Sequence, residues 1–448
     1  MRLLAFVTII AAAVLLTAGL PGASDASPGA ERHPPFVTRG LPGEGAQPSN
    51  EITVRFKPGA TYTAMTALNA RVGATTIAQG NRSALRRMQV ADVDAALAAY
   101  RASPLVAEVG VSRNARILDT PNDPSFAYQW HLRSTEGGMW ADTAWDLATN
   151  RGAGVTVAVI DTGVAYEAHN GSLGSSPQTF VQASDLATTP FVAPWDFVYD
   201  EPHANDDHGH GTHVTGTITE DTNNGIRMAG VAPNSTIMPI KAIDYLGDGT
   251  DSDIADAILY AVDNGADVIS MSLGFPGTGA PDINGNVCGE IIGLTAALDY
   301  ADANGVTVIA ASGNDGANTV LCPAAYPTVI AVGATKFDAQ VTSYSNEGAA
   351  LDITAPGGDF VDQSGDGQID GVLQESFCYD GTIMLILNLY GSFCNVYNMG
   401  TSMATPHVAG TAALLLGEDP TLTPDEVRAL METTARDQGT AGRDDTYG

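Results

Sequence analysis

Basic residues are scarce in this chain. Its 448 residues hold 20 Lys or Arg against 51 Asp or Glu, a formal net charge of −31. Such a surface has no basic face with which to neutralise phosphates, so nucleic-acid partners are excluded. The excess of carboxylates fits solubility, cation binding or a saline setting. Long apolar runs are also missing: beyond Leu3–Leu20 no stretch approaches the roughly 18 residues of a membrane span. The mature protein is therefore expected without one. Cysteine is limited to Cys288, Cys322, Cys378 and Cys394, an even count that argues for disulfides if the chain is exported.

The N-terminus points to export. Arg2 precedes the apolar run, and the small residues at Ser24-Asp25-Ala26 offer a small-x-Ala cleavage site, so residues 1–26 read as a secretory signal. No cysteine lies near that site, which argues against a lipid anchor. Residues 27–118 form a separate region. A Pro- and Gly-rich linker reaches Asn50, and Glu51–Phe56 then alternates like a half-buried strand. Helical stretches at 64–72 and 93–102 and a late strand at 106–109 complete a β-α-β-β-α-β rhythm, that of a small ferredoxin-like domain. Residues 1–118 carry 12 basic against 7 acidic residues, and the remainder 8 against 44. The charge excess therefore belongs almost wholly to residues 119–448.

That larger region alternates apolar runs (155–160, 236–243, 267–273, 306–310, 328–333) with helical stretches (251–264, 290–304, 402–416, 424–436). The pattern predicts a doubly wound parallel α/β domain. Asp161 ends the first run in Asp161-Thr162-Gly163, at the edge where such sheets place active sites. His208-Gly209-His210-Gly211-Thr212-His213 opens a second helix-compatible segment. Gly400-Thr401-Ser402-Met403-Ala404-Thr405-Pro406-His407 feeds a third, so Ser402 sits at a helix N-terminus, where unpaired N–H groups favour negative charge. Serine there is often only a cap. With an acid and an imidazole it is instead the set that acyl transfer requires.

The order Asp…His…Ser and the wording of the three segments closely resemble the subtilisin-like serine peptidases, or subtilases, from about Asn122 to Gly448. The resemblance implies a secreted endopeptidase in which Asp161, His210 and Ser402 form the triad and His213 is structural. His407 reads as a packed histidine and His208 as solvated or metal-contacting. Ala311-Ser312-Gly313-Asn314 is similar to the segment whose asparagine stabilises the oxyanion, which assigns that part to Asn314. Ser272-Leu273-Gly274 and Leu246-Gly247-Asp248-Gly249 would flank an extended protein or peptide substrate. Ala311, Ser312 and Gly313 would line the primary pocket, and the short stretch from Asn318 to Pro323 leaves room for Leu321 to intrude on its floor.

Further expectations follow from the same resemblance and from the residues themselves. Residues 27–118 would be a propeptide that chaperones and inhibits the enzyme, itself a monomer. Calcium is the expected cofactor. Asp362, Ser364, Asp366, Gln368 and Asp370 have the spacing of a calcium loop, although Leu373 occupies the twelfth position, where a glutamate belongs. Asn224, in Thr222-Asn223-Asn224-Gly225-Ile226, resembles a ligand of the family's tight calcium loop, with Asn170 standing where an aspartate is expected. Asp196, Asp200, Asp206 and Asp207 form another acidic cluster. Of three possible cysteine pairings, 288–322 and 378–394 are favoured. A silent peptide-binding relative and a calcium-dependent adhesive exoprotein are the alternatives; phosphonate-sensitive casein hydrolysis separates the enzyme from both.

Overall fold

The computed structural model describes residues 50–79, 84–112, 120–133, 135–173, 176–279, 287–378 and 390–448. The chain divides into two compact units at Asn114 and Ala115. In the first, β1 (Glu51–Phe56), α1 (Tyr62–Val72), β2 (Thr75–Gln79), β3 (Leu85–Gln89), α2 (Val93–Arg101) and β4 (Val106–Val111) follow one another. The strands form an antiparallel sheet in the order β2-β3-β1-β4. Alternation in β1 turns Ile52, Val54 and Phe56 inward, against Leu68, Leu97 and Tyr100 from the two helices. Thr61 and Asp92 cap those helices through their side-chain oxygens.

The second unit is built on a seven-stranded sheet in the order β13-β12-β11-β10-β5-β9-β8. Its strands are β5 (Thr156–Asp161), β8 (Trp195–Asp196), β9 (Thr236–Lys241), β10 (Val268–Met271), β11 (Thr307–Ala311), β12 (Val329–Thr335) and β13 (Ile353–Pro356). All the pairings are parallel. Helices α5 (Asp251–Asp263) and α6 (Leu294–Ala303) share an apolar core with one face of the sheet. Helices α4 (His210–Thr219), α7 (Thr401–Glu418) and α8 (Pro424–Thr434) share the core on the other, as does the short α3 (Ala141–Ala144). This is the doubly wound α/β architecture that the alternation of apolar runs predicts.

Sequence boundaries shift by a few residues: β10 ends at Met271 rather than 273, and α7 begins at Thr401. Apolar periodicity gives no sign of the hairpin β6–β7 (His169–Leu173, Ser176–Phe180), whereas β14–β15 (Val372–Phe377, Phe393–Asn398) lies where Cys378 and Cys394 suggest a stapled hairpin. Strand β14 is buried although it carries Gln374, Glu375 and Ser376. Glu375 is matched there by Arg227, the Ser184 hydroxyl and the Asp185 amide. Both favoured disulfides form, Cys288–Cys322 and Cys378–Cys394. The second closes the β14–β15 hairpin, and most of the apolar stretch between its cysteines lies outside the described residues.

Candidate active site

Parallel register builds the site. β10 pairs with β5 so that Val268 faces Val157 and Ser270 faces Val159; continued by two residues, it sets Ser272 level with Asp161. Asp161 is 2% exposed, and its Oδ1 accepts from His210 Nδ1 at 2.7 Å and from the Thr162 amide at 2.8 Å. A carboxylate can only accept, so Nδ1 carries the proton and the neutral ring keeps its lone pair on Nε2. The His210 side chain is about 25% exposed. Burial alone lowers its pKa, but the charge and hydrogen bond of Asp161, helped by Asp206, outweigh that and hold it above the ordinary value. Gly211 permits this approach of α4 to β5, because a Cβ there would lie 2.1 Å from the Gly163 carbonyl oxygen.

Ser402 is the second residue of α7, not its cap; that place belongs to Gly400. Its Oγ donates to the Ser272 carbonyl at 3.1 Å, and Ser272 Oγ donates back to the Ser402 carbonyl at 2.7 Å. The hydroxyl is thus fixed to the end of β10 and is not hydrogen-bonded to His210. Asn314 Oδ1 accepts from the Thr401 amide and the Thr401 hydroxyl, each at 2.9 Å. Both bonds engage the amide oxygen, which leaves Nδ2 as the donor beside the first turn of α7.

A cavity of about 330 Å³ runs along this edge, lined by Asp161, Thr162, His208 and His210 and by two facing segments, Gly247–Gly249 and Ser272–Pro276. Ser272, Leu273, Gly274, Gly247 and Gly249 are therefore brought together with the carboxylate–imidazole pair. Ala311, Ser312 and Gly313 are buried. Leu321 lies against them, its amide donating to the Ser312 carbonyl. A Cβ on Gly313 (φ +113°) would come within 2.8 Å of Leu321 Cδ1, and one on Gly274 within 3.4 Å. Leu321 thus fills the space between the two walls.

Sequence reasoning missed the frame beneath the pair. Asp206 was grouped with Asp196, Asp200 and Asp207 as a cation cluster, yet it accepts from the amides of His208, Gly209 and Thr212 and the hydroxyls of Thr162 and Thr212. It organises the start of α4. Asp207 is paired with fully buried Lys241 at 2.6 Å, and Lys241 also donates to the carbonyls of Thr162 and Ile243. Asp196 accepts from the amides of Val198 and Tyr199. Asp206 and Asp196 are thus engaged by protein donors, and Asp207 is engaged through Oδ1 alone, its buried Oδ2 having no hydrogen-bond partner. His213 donates from Nε2 to the carbonyls of Val372 and Val396; His407 donates from Nδ1 to the Met403 carbonyl and accepts at Nε2 from His131 Nδ1 at 2.7 Å. Burial pushes His213 and His407 each down to about 4, and both rings are fully buried.

The loops expected to hold calcium are rich in hydrogen bonds of their own. In the 362–370 loop, Asp362 accepts from the amides of Gly365 and Gly367, Asp366 from that of Gln368, and Asp370 from those of Gln363 and Ser364. The carboxylates of Asp362, Asp366 and Asp370, with Ser364 and Gln368 between them, thus accept from the backbone of their own loop, and the Ser364 hydroxyl donates to Asp362. Asn170 lies in β6, where it accepts from Thr179, because the β6–β7 hairpin intervenes after β5. Asp185 takes the place expected for Asn170: its Oδ1 accepts from Asn224 Nδ2 at 2.6 Å and its Oδ2 from the Met228 amide. Asp123 closes the other side, accepting from the amides of Asn223, Asn224 and Gly225.

A parallel α/β sheet with a carboxylate–imidazole pair and a helix-end serine at its carboxyl edge defines a serine peptidase of the subtilisin type. The Subtilase family model matches residues 152–448, and the chain belongs to that family; it is a subtilisin-like serine endopeptidase acting on proteins. It is 36% identical over 395 residues to the thermophilic serine proteinase of Bacillus sp. strain AK1, covering 88% of this chain and 83% of that one. It is 34% identical over 316 residues to thermitase of Thermoactinomyces vulgaris, covering 70% and 91%. A solved protease structure from Pseudoalteromonas arctica superposes with a TM-score of 0.59 at 32% identity, over 71% of this chain and 93% of that one.

Proposed function

We propose that Ser402, His210 and Asp161 are the catalytic triad of an exported endopeptidase made as a proenzyme. The observation that carries this reading is the 2.7 Å His210–Asp161 bond, in register with a serine held on Ser272. His210 Nε2 takes the Ser402 proton as Oγ attacks the scissile carbonyl, and Asp161 stabilises the imidazolium. Asn314 Nδ2 and the Ser402 amide donate to the oxyanion. His210 then returns the proton to the leaving amine, and water releases the acyl group by the reverse path. The substrate lies extended between 272–274 and 247–249, adding a strand to both edges, with its side chain directed toward Gly313 and Leu321.

Residues 1–26 act as the export signal, and a relative from Xanthomonas campestris, 33% identical, is named an extracellular protease. Residues 27–118 act as the propeptide; the alignment with the Bacillus proteinase extends well beyond the family match, which supports their belonging to the same protein type. Calcium fits the loop at Asn224. Its donors are oxygens, and burial, with Glu375 and Asp123 adding repulsion, pushes Asp185 up to about 7, a crowding of acid that a hard divalent ion relieves. Asp123, Asp185 and Asn224 would hold it, and it would supply stability rather than chemistry.

The Ser402→Ala chain tests the triad. It should lose casein hydrolysis by on the order of a millionfold, as in subtilisin, fail to mature alone and escape labelling by a serine-directed phosphonate. Hydrolysis or unaided maturation by the purified variant would overturn the assignment.

A further inference from the structure

Away from the groove, Glu167, His169 and His203 each bring a donor atom to within 4.8 Å of the others, the one such trio found among the described residues. The two loops that carry them are laced together. Val164 donates to the Ala204 carbonyl, and the Asp206 amide donates to that of Val164. This ladder sets Glu167 beside His203. Glu167 Oε1 accepts from His203 Nδ1 at 2.7 Å and from Asn205 Nδ2 at 3.0 Å. Asn205 is 2% exposed and therefore fixed. His169 opens β6 and stacks on His203 with ring centroids 3.8 Å apart at 15°. The stack holds both imidazoles, each with a ring nitrogen that can serve as a ligand, on the same side of the Glu167 carboxylate.

We propose that Glu167, His169 and His203 bind one divalent transition-metal ion of the zinc class, tying the loop after Asp161 to the loop before His210. Two imidazole nitrogens and one carboxylate oxygen, with water in the fourth position, suit a borderline ion; calcium prefers oxygen alone. Ligand bonds of about 2.1 Å in a tetrahedron put donors roughly 3.4 Å apart, so the Glu167–His203 contact of 2.7 Å must open, the other donors, within 4.8 Å, must draw in, and the rings must tilt. The room exists, because the side chains of Glu167 and His203 are 29% and 35% exposed. The hydrogen bond from Asn205 orients the Glu167 carboxylate, as partners beyond the ligands do in metal sites.

The test is calorimetric titration of chelator-stripped, full-length Ser402→Ala protein with ZnCl2 at pH 7.5, using that variant only to limit autolysis. One ion per chain should bind, undisturbed by excess Ca2+, and Co2+ should give the visible absorption of a low-coordinate site. His169→Gln and His203→Gln should each weaken binding at least tenfold while keeping the metal-free melting temperature. A second variant background, Glu167→Gln, should do the same and guards against misfolding of either histidine mutant. His208→Gln, near the groove, should leave Zn2+ binding as in the parent. No Zn2+ binding by the parent, equal binding by the His169 and His203 variants, or loss of binding only with His208→Gln would overturn the proposal.

Discussion

His210 is held between opposing influences, burial lowering its pKa and Asp161 raising it more. In its proposed role as base it must be neutral, so kcat/KM should rise with pH and level off above a midpoint higher than the ordinary value of about 6.5. Asp161→Asn removes the charge and invites the wrong tautomer. Turnover should fall by about ten-thousandfold, and the midpoint of the residual activity should move down. A pH–rate profile of the variant with an unmoved midpoint would break the link. Leu321 supports a second residue-scale prediction. Because it lies against Gly313 and near Gly274, the pocket should favour small side chains, and Leu321→Ala should improve cleavage after Leu or Phe by roughly tenfold or more. Competing peptides that differ only at that residue measure this, and an unchanged preference would place the pocket elsewhere.

At the scale of elements, the sequence was most legible where burial on both faces leaves a plain apolar run. β5, β9, β10, β11 and β12 read directly for that reason. β8 spans two residues and β13 four, too few for periodicity to register. β14 hides because its polar side chains are satisfied by partners distant in sequence, Arg227 and Asp185 among them. The triad candidates were legible because each follows a strand or opens a helix. Asp206 was not, because its worth lies in amide donors whose direction depends on where α4 begins. Asp185 was hidden by a hairpin that changes the count of residues after β5. The disulfide across β14–β15 gives an element-scale prediction. Its 16-residue separation constrains the unfolded chain by about 3 kcal/mol. Replacing Cys378 and Cys394 together by Ser should lower stability by up to that amount in denaturant titration, with β14 loosened against α4. No loss of stability would mean that packing alone holds the hairpin.

Charge acts over the whole molecule. Residues 119–448 carry 44 acidic against 8 basic side chains, and part of that excess stands at the groove. Asp248 lines the cavity and is exposed, and Asp244, Asp251 and Asp253 lie half-exposed in the same turn and at the start of α5. Asp244 accepts from the amides of Leu246 and Asp248, and the N-terminus of α5 offsets part of the charge on Asp251 and Asp253. Neither donor set includes a basic side chain, so a negative field should remain along the 247–249 edge. Such a field concentrates cationic substrates and repels anionic ones, and salt screens it over about 10 Å at 0.1 M. Peptides with Lys or Arg a few residues before the cut should therefore be cleaved faster than matched peptides with Asp or Glu. The advantage should shrink as salt rises and in Asp248→Asn, and it should appear in KM more than in kcat, because exposed charge attracts substrate without touching the reacting atoms. Equal rates for the two peptide sets at low salt would mean that these aspartates face away from the bound chain or are neutralised by a cation.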